Sequence, residues 1–214
     1  MKKIVLIGDS IRMGYDKYVK EALDGVAEVY YPPENCRFSQ YTARFLHDWK
    51  DKGEWPDDID LVHWNVGLWD VAELFDDGPL SSTEHYAEML RRIDKRIRFL
   101  FPNAKVIFAT STAIREEGYS HAFHRHNAII EQYNAVALET LKGTDTLIND
   151  LYSHTVKAPA DCCSDMTHYN TPKGAAYMGG KVLAAICPVL GISAAEVKVE
   201  GFELEKYSAD NIGC

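Results

Sequence analysis

The 214-residue chain lacks a long hydrophobic run, and no window approaches the roughly 20 apolar residues of a membrane span. Its first apolar run, Ile4-Val5-Leu6-Ile7, is cut off by Gly8-Asp9-Ser10. That falls short of the roughly 7–15 apolar residues of a signal peptide. Positive charge is also in deficit: 23 Lys and Arg stand against 32 Asp and Glu, a formal net charge of −9. Nucleic acids and anionic membranes both need a basic patch, so neither is expected as a partner. Cysteine is sparse and odd in number, with Cys36, Cys162, Cys163, Cys187 and Cys214 and no C-x-x-C spacing. Reduced thiols in a cytoplasmic setting are expected, and neither a disulfide framework nor a zinc site. The sequence holds no G-x-S-x-G, which excludes the nucleophile-elbow hydrolases. It also holds no P-loop and no G-x-G-x-x-G, so a nucleotide fold has no support.

What is present is the composition of a soluble globular protein, 46% hydrophobic and 26% charged, which needs no disulfide or metal staple. One domain over residues 1–214 is expected. Short apolar stretches at 3–7, 27–31, 59–65, 105–110 and 146–150 predict five strands. Between them, helical spacing marks 12–23, 41–52, 83–101 and 125–141, and a last helix at 172–186 opens on Pro172. The third helix is the best marked: Ser82 is its N-cap, and Tyr86, Leu90, Ile93 and Ile97 share one face. Alternating strands and helices predict a three-layer α/β/α sandwich around a doubly wound parallel sheet. In such a sheet the ligand lies beyond the carboxyl ends of the strands. The polar residues there are Asp9-Ser10, the stretch from Asn65 to Asp70, and the stretch from Asp165 to His168.

Ser10 follows the first strand, where the amides opening a helix can hold a developing oxyanion; its alternative role is to cap that helix. Asp165 and His168 are spaced so that one turn supplies a histidine base and the carboxylate that orients it. In a sheet of order 2-1-3-4-5, strands one and five lie about 14 Å apart, three strand spacings. Residues 151–164 are long enough to carry Asp165 and His168 back over the first strand, at roughly 3.3 Å per residue.

Ile4-Val5-Leu6-Ile7-Gly8-Asp9-Ser10 resembles the first block of the GDSL/SGNH hydrolase superfamily, and Asp165-Met166-Thr167-His168 resembles its last, D-x-x-H. Gly67-Leu68-Trp69-Asp70 sits at the place of the G-x-N-D block, with tryptophan where the asparagine usually stands. The run from His126-Asn127 to Tyr133-Asn134 is similar to the fourth-helix pattern. The likeness covers about residues 3–187 and leaves 192–214 as an extension. It implies a flavodoxin-like five-stranded parallel sheet in the order 2-1-3-4-5, the SGNH hydrolase fold, and an esterase or lipase with Ser10 as nucleophile, His168 as base and Asp165 as orienting acid. Besides the tryptophan, Asn35-Cys36-Arg37-Phe38-Ser39 lacks the usual glycine of the second block. Our expectation is an oxyanion hole built from the Ser10 amide, the Asn65 side chain and the amides of Cys36 or Arg37. Asp9, Gly67, Trp69 and Arg37 are expected to bind substrate.

Arg12 and Arg115 join Arg37 as arginines beyond strand ends, able either to hold substrate or to form salt bridges. Trp64 reads as core and Cys162-Cys163 as packing. His121, His124 and His126 read as a surface loop entering the fourth helix, because no cysteine or acid joins them at ligand spacing. Residues 197–205 alternate and suggest an edge strand or a contact with a second copy. The expected activity is hydrolysis of a small ester through an acyl-enzyme, with no metal or organic cofactor. A short-acyl ester or a carbohydrate O-acetyl group is the leading substrate. Thioester or lysophospholipid hydrolysis and acyl transfer remain open on the same site, as does a non-catalytic ligand-binding role.

Overall fold

The computed structural model describes residues 1–205. Five strands, β1 (Lys2–Ile7), β2 (Ala27–Tyr30), β3 (Leu61–Trp64), β4 (Lys105–Ala109) and β5 (Leu147–Asn149), form one parallel sheet in the order β2-β1-β3-β4-β5. This is the predicted order. Residues 4–7 of β1 and all of β3 are buried at every position rather than alternately, as a doubly wound sheet covered on both faces requires. Trp64 and Phe108 meet edge to face on neighbouring strands, their ring centroids 4.8 Å apart.

The helices are α1 (Ser10–Met13), α2 (Asp16–Ala22), α3 (Ser39–Lys52), α4 (Thr83–Leu100), α5 (Asn127–Leu141), α6 (Leu151–Thr155) and α7 (Pro172–Leu190). α2 packs with α7, and α4 packs with both α3 and α5. α4 forms as predicted: the Ser82 hydroxyl accepts from the His85 amide, and Tyr86, Leu90, Ile93 and Ile97 are all buried. The expected 12–23 helix is instead two helices, broken at Gly14-Tyr15, where Gly14 lies against Asn170 of the Asp165–His168 region. α7 runs past residue 186, because Pro188 stands in the last turn and removes only one helical bond. Gly191, left-handed at φ 64°, then ends it. The 151–164 segment holds α6, capped by Asp150, and a 3-10 turn at Ala160–Cys162.

The expected edge strand does not form over 197–205. Residues 195–202 run beside α2 instead: the Ala195 amide donates to Ala22 O at 2.7 Å, and Phe202 is buried edge-on to Tyr18. Residues 206–214 of the extension, Cys214 among them, lie outside the described residues.

One buried group ties this fold to pH. His63 on β3 is fully buried, and its Nε2 lies 3.1 Å from Asn149 Nδ2. The amide nitrogen is donor only, so Nε2 accepts and Nδ1 carries the proton without a partner. Burial pushes the imidazole down to about 3. The unfolded chain binds this proton near pH 6.5 while the folded chain does not, so stability is full above about 6.5 and falls with pH towards 3. The loss is roughly 1.4 kcal/mol per pH unit. His63→Leu is expected to flatten the pH dependence of urea-unfolding free energy by about one proton over that window. An unchanged slope would show that His63 does not carry the effect.

Candidate active site

Ser10 sits at the first position of α1, directly beyond β1. Asp9 is the N-cap: its Oδ1 accepts from the Ile11 amide at 3.0 Å. Asp9 thereby performs the capping that might have been Ser10's, and the serine hydroxyl is left for another partner. That partner is His168, whose Nε2 lies 2.8 Å from Ser10 Oγ. The other ring nitrogen, Nδ1, lies 2.8 Å and 3.0 Å from the two oxygens of Asp165.

The turn that presents this histidine is built by Asp165 itself. Its Oδ1 accepts from the amides of Thr167 at 2.7 Å and His168 at 2.8 Å. The Ser164 amide closes the turn on His168 O at 2.9 Å. The Arg115 amide, in the loop after β4, donates to Met166 O at 2.8 Å, and the Tyr169 hydroxyl donates to Ala113 O. A Cβ on Gly174 would fall 2.1 Å from Tyr169 O and 2.2 Å from Cys162 O, so only glycine lets α7 start this close beneath the turn. Burial raises the Asp165 carboxyl, but the bonds from the His168 ring and the two amides outweigh it and hold the group well below its usual range. An ionised carboxylate only accepts, so Nδ1 carries the proton and the Nε2 lone pair faces the serine.

The expected oxyanion donors fare unevenly. The Cys36 amide donates to Gly8 O at 3.2 Å, and the Arg37 amide donates to Asn35 Oδ1 at 2.8 Å. The first is committed to the chain just beyond β1 and the second within its own loop. Asn65 lies just beyond β3, and its Nδ2 donates one hydrogen to Asp9 Oδ1 at 3.1 Å, leaving the second. The Ser10 amide opens its helix and has no intrahelical acceptor. Asp70 is fully buried; it accepts from the Ser39 amide and hydroxyl and from the Ser81 hydroxyl, and so anchors α3 to the loop after β3. Burial raises its carboxyl, opposed by those serine bonds.

No protein-family model and no curated protein sequence matches the chain. Solved structures do. An acetyl xylan esterase, AlAXEase, superposes with a TM-score of 0.66 at 17% identity, over 86% of this chain and 99% of that one. The lipase/acylhydrolase from Enterococcus faecalis gives 0.68 at 19% identity, over 92% and 100%. A GDSL-like lipase from Bacteroides thetaiotaomicron gives 0.65 at 15%, over 86% and 87%. The chain has the SGNH hydrolase fold. At these identities the likeness is one of fold, and the chemistry has to be argued from the side chains.

The other singled-out residues differ in how far burial has committed them. Asp9 is fully buried as a cap, its Oδ1 accepting from the Ile11 amide and from Asn65 Nδ2, and burial raises its carboxyl. Arg12 is fully buried in an ion pair with Asp16 at 2.6 Å and donates to Glu34 O, so it props the loop after β2 rather than holding substrate. Gly67 is buried at φ 141°, and a Cβ there would fall 2.3 Å from Ser111 Oγ; it shapes the loop and offers no side chain. Arg115 is exposed beside the Asp165–His168 turn. Arg37, left-handed at φ 50°, stacks over Tyr41 at 4.9 Å. Trp69 is half-buried beyond β3, Trp64 is core, and Cys162 and Cys163 are free thiols.

Arg125 escaped the sequence reading. It is buried, its Nε donates to Leu68 O in the loop after β3, and its charge opposes the effect of burial on the Asp9 carboxyl. The signal was its place at the entry to α5, on the carboxyl-end side of the sheet.

Proposed function

We propose that the chain hydrolyses a carboxylic ester through an acyl-enzyme. The observation that carries this is a single imidazole bonded to Ser10 Oγ on one side and to Asp165 on the other. Ser10 attacks the acyl carbonyl while His168 takes its proton, and Asp165 stabilises the imidazolium. The Ser10 amide and the second Asn65 Nδ2 hydrogen hold the oxyanion. His168 then protonates the leaving alcohol, and water repeats the sequence on the acyl-serine.

The favoured substrate is a short acyl ester, an O-acetyl group on a carbohydrate above all. Three features support it: the acetyl xylan esterase among the structural neighbours, the half-buried Trp69 as a ring on which a sugar can stack, and Arg37 for hydroxyl groups. Initial rates on p-nitrophenyl acetate, butyrate, octanoate and palmitate, beside acetylated xylo-oligosaccharides, test this. The expected order falls steeply with chain length; a maximum at octanoate or beyond overturns the short-acyl reading.

A second reading, a ligand-binding domain without turnover, draws on the committed Cys36 and Arg37 amides. A fluorophosphonate separates the two. Stoichiometric labelling at Ser10 is expected of a hydrolase, and an unmodified Ser10 of a binding domain. Within the hydrolase reading, Asn65→Ala is expected to lower kcat by about 10²–10³ with KM little changed, the loss of one oxyanion donor. Unchanged turnover in a folded variant removes Asn65 from the hole.

A further inference from the structure

The histidine loop that the sequence left without acids acquires them in three dimensions. Residues 73 and 124 pair backbone to backbone in an antiparallel bridge, each amide donating to the other's carbonyl at 3.0 Å. This brings the loop after β3 against the loop before α5. His124 Nε2 then faces two carboxylates, Glu73 Oε2 at 3.4 Å and Asp76 Oδ1 at 3.5 Å. His124 and Glu73 are largely buried, with side chains 10% and 14% exposed. Glu73, His124 and His126 each offer a ligand atom, all within 4.8 Å of one another.

These separations are long for hydrogen bonds, whose usual range ends near 3.2 Å. They match another geometry. Zinc–nitrogen and zinc–oxygen bonds of about 2.0–2.1 Å give a tetrahedral edge of about 3.3–3.4 Å. His124 therefore stands from both carboxylates at the distance of two ligands sharing a metal. The surroundings are built in the same sense. His121 Nδ1 holds the other Asp76 oxygen at 2.8 Å, and Glu116 Oε2 holds His126 Nδ1 at 3.2 Å. Such carboxylate–imidazole contacts orient ligands around a metal. The neighbouring cation, Arg125, turns away: its Nε donates to Leu68 O and its guanidinium lies over Phe123 at 4.7 Å.

The geometry points to a divalent transition-metal site of the zinc type, with Glu73, His124 and His126 as ligands and Asp76 at the edge of the coordination sphere. Mixed imidazole and carboxylate donors suit zinc better than the hard cations calcium or magnesium. A metal here would clamp the loop after β3 to the loop before α5, on either side of Arg125. Its role is then to brace the loop around the serine site rather than to take part in ester chemistry.

Titration calorimetry with zinc chloride on the metal-stripped full chain tests this, with cobalt(II) as a spectroscopic probe. One equivalent is expected to bind, and Glu73→Gln and His126→Ala are expected to weaken binding at least tenfold. His47→Ala, on an unrelated helix, is expected to bind as the parent does. Tetrahedral cobalt absorption without a thiolate charge-transfer band is expected, since no cysteine stands among the ligands. At about 100 times Kd, zinc should raise Tm by roughly 5–10 °C. His126 is exposed, so its replacement leaves the fold intact even where that of Glu73 does not. Absence of binding, binding that survives both substitutions, or a thiolate band each overturns the site. None of these readouts depends on ester hydrolysis.

Discussion

Ser10→Ala is expected to lower kcat on a p-nitrophenyl ester by about 10⁵-fold and to abolish fluorophosphonate labelling, with Tm almost unchanged. The size follows from the chemistry. Without the hydroxyl there is no acyl-enzyme, and His168 can at best direct a water. Whatever rate remains comes from binding and from the oxyanion donors, which the substitution leaves in place. The small stability effect follows from the structure. Ser10 is not the cap of α1; Asp9 is, through the Ile11 amide. Among the described residues the side-chain partner of the lost hydroxyl is His168, which is one-fifth exposed and can turn to water. A variant that kept more than about one-hundredth of parental turnover would place the nucleophile elsewhere, and a large fall in Tm would show that the hydroxyl is structural.

Much of this site was legible in the sequence because its parts are local. Ser10 is fixed by the end of β1, and Asp165 builds the turn that holds His168 within four residues. The doubly wound parallel sheet followed from alternating patterns. What was hidden depends on pairing between distant segments. Whether an amide such as that of Cys36 or Arg37 is free or taken depends on Gly8 O and Asn35 Oδ1, and composition carries no sign of either contact. Asp9 looked available because it is polar and adjacent to Ser10, yet helix capping took it inside. Arg12 looked like a rim arginine, yet an acid one helical turn on drew it into the interior. Glu73 and His124 meet only because two loops form a bridge, and no local spacing announces that. Local chemistry was readable, and the commitment of each donor was not.

Asp165→Asn gives the second large effect, and its cause is the assignment of one proton. In the parent, Oδ1 is held by the amides of Thr167 and His168 while Oδ2 meets His168 Nδ1 at 2.8 Å. Those two amides accept nothing, so the asparagine carbonyl must stay with them. Its NH2 group then occupies the Oδ2 place and donates to Nδ1. The imidazole proton moves to Nε2, where it faces Ser10 and blocks proton abstraction. The turn survives, because its anchoring acceptor survives. A fall in kcat of about 10³–10⁴ with KM and Tm little changed is therefore expected. Asp165→Ala removes the anchor as well and should lower Tm, while leaving Nδ1 free to adopt either tautomer. Its kcat is then expected to exceed that of Asp165→Asn. The reverse ranking would mean that Asp165 acts through its charge alone and not by choosing which ring nitrogen holds the proton.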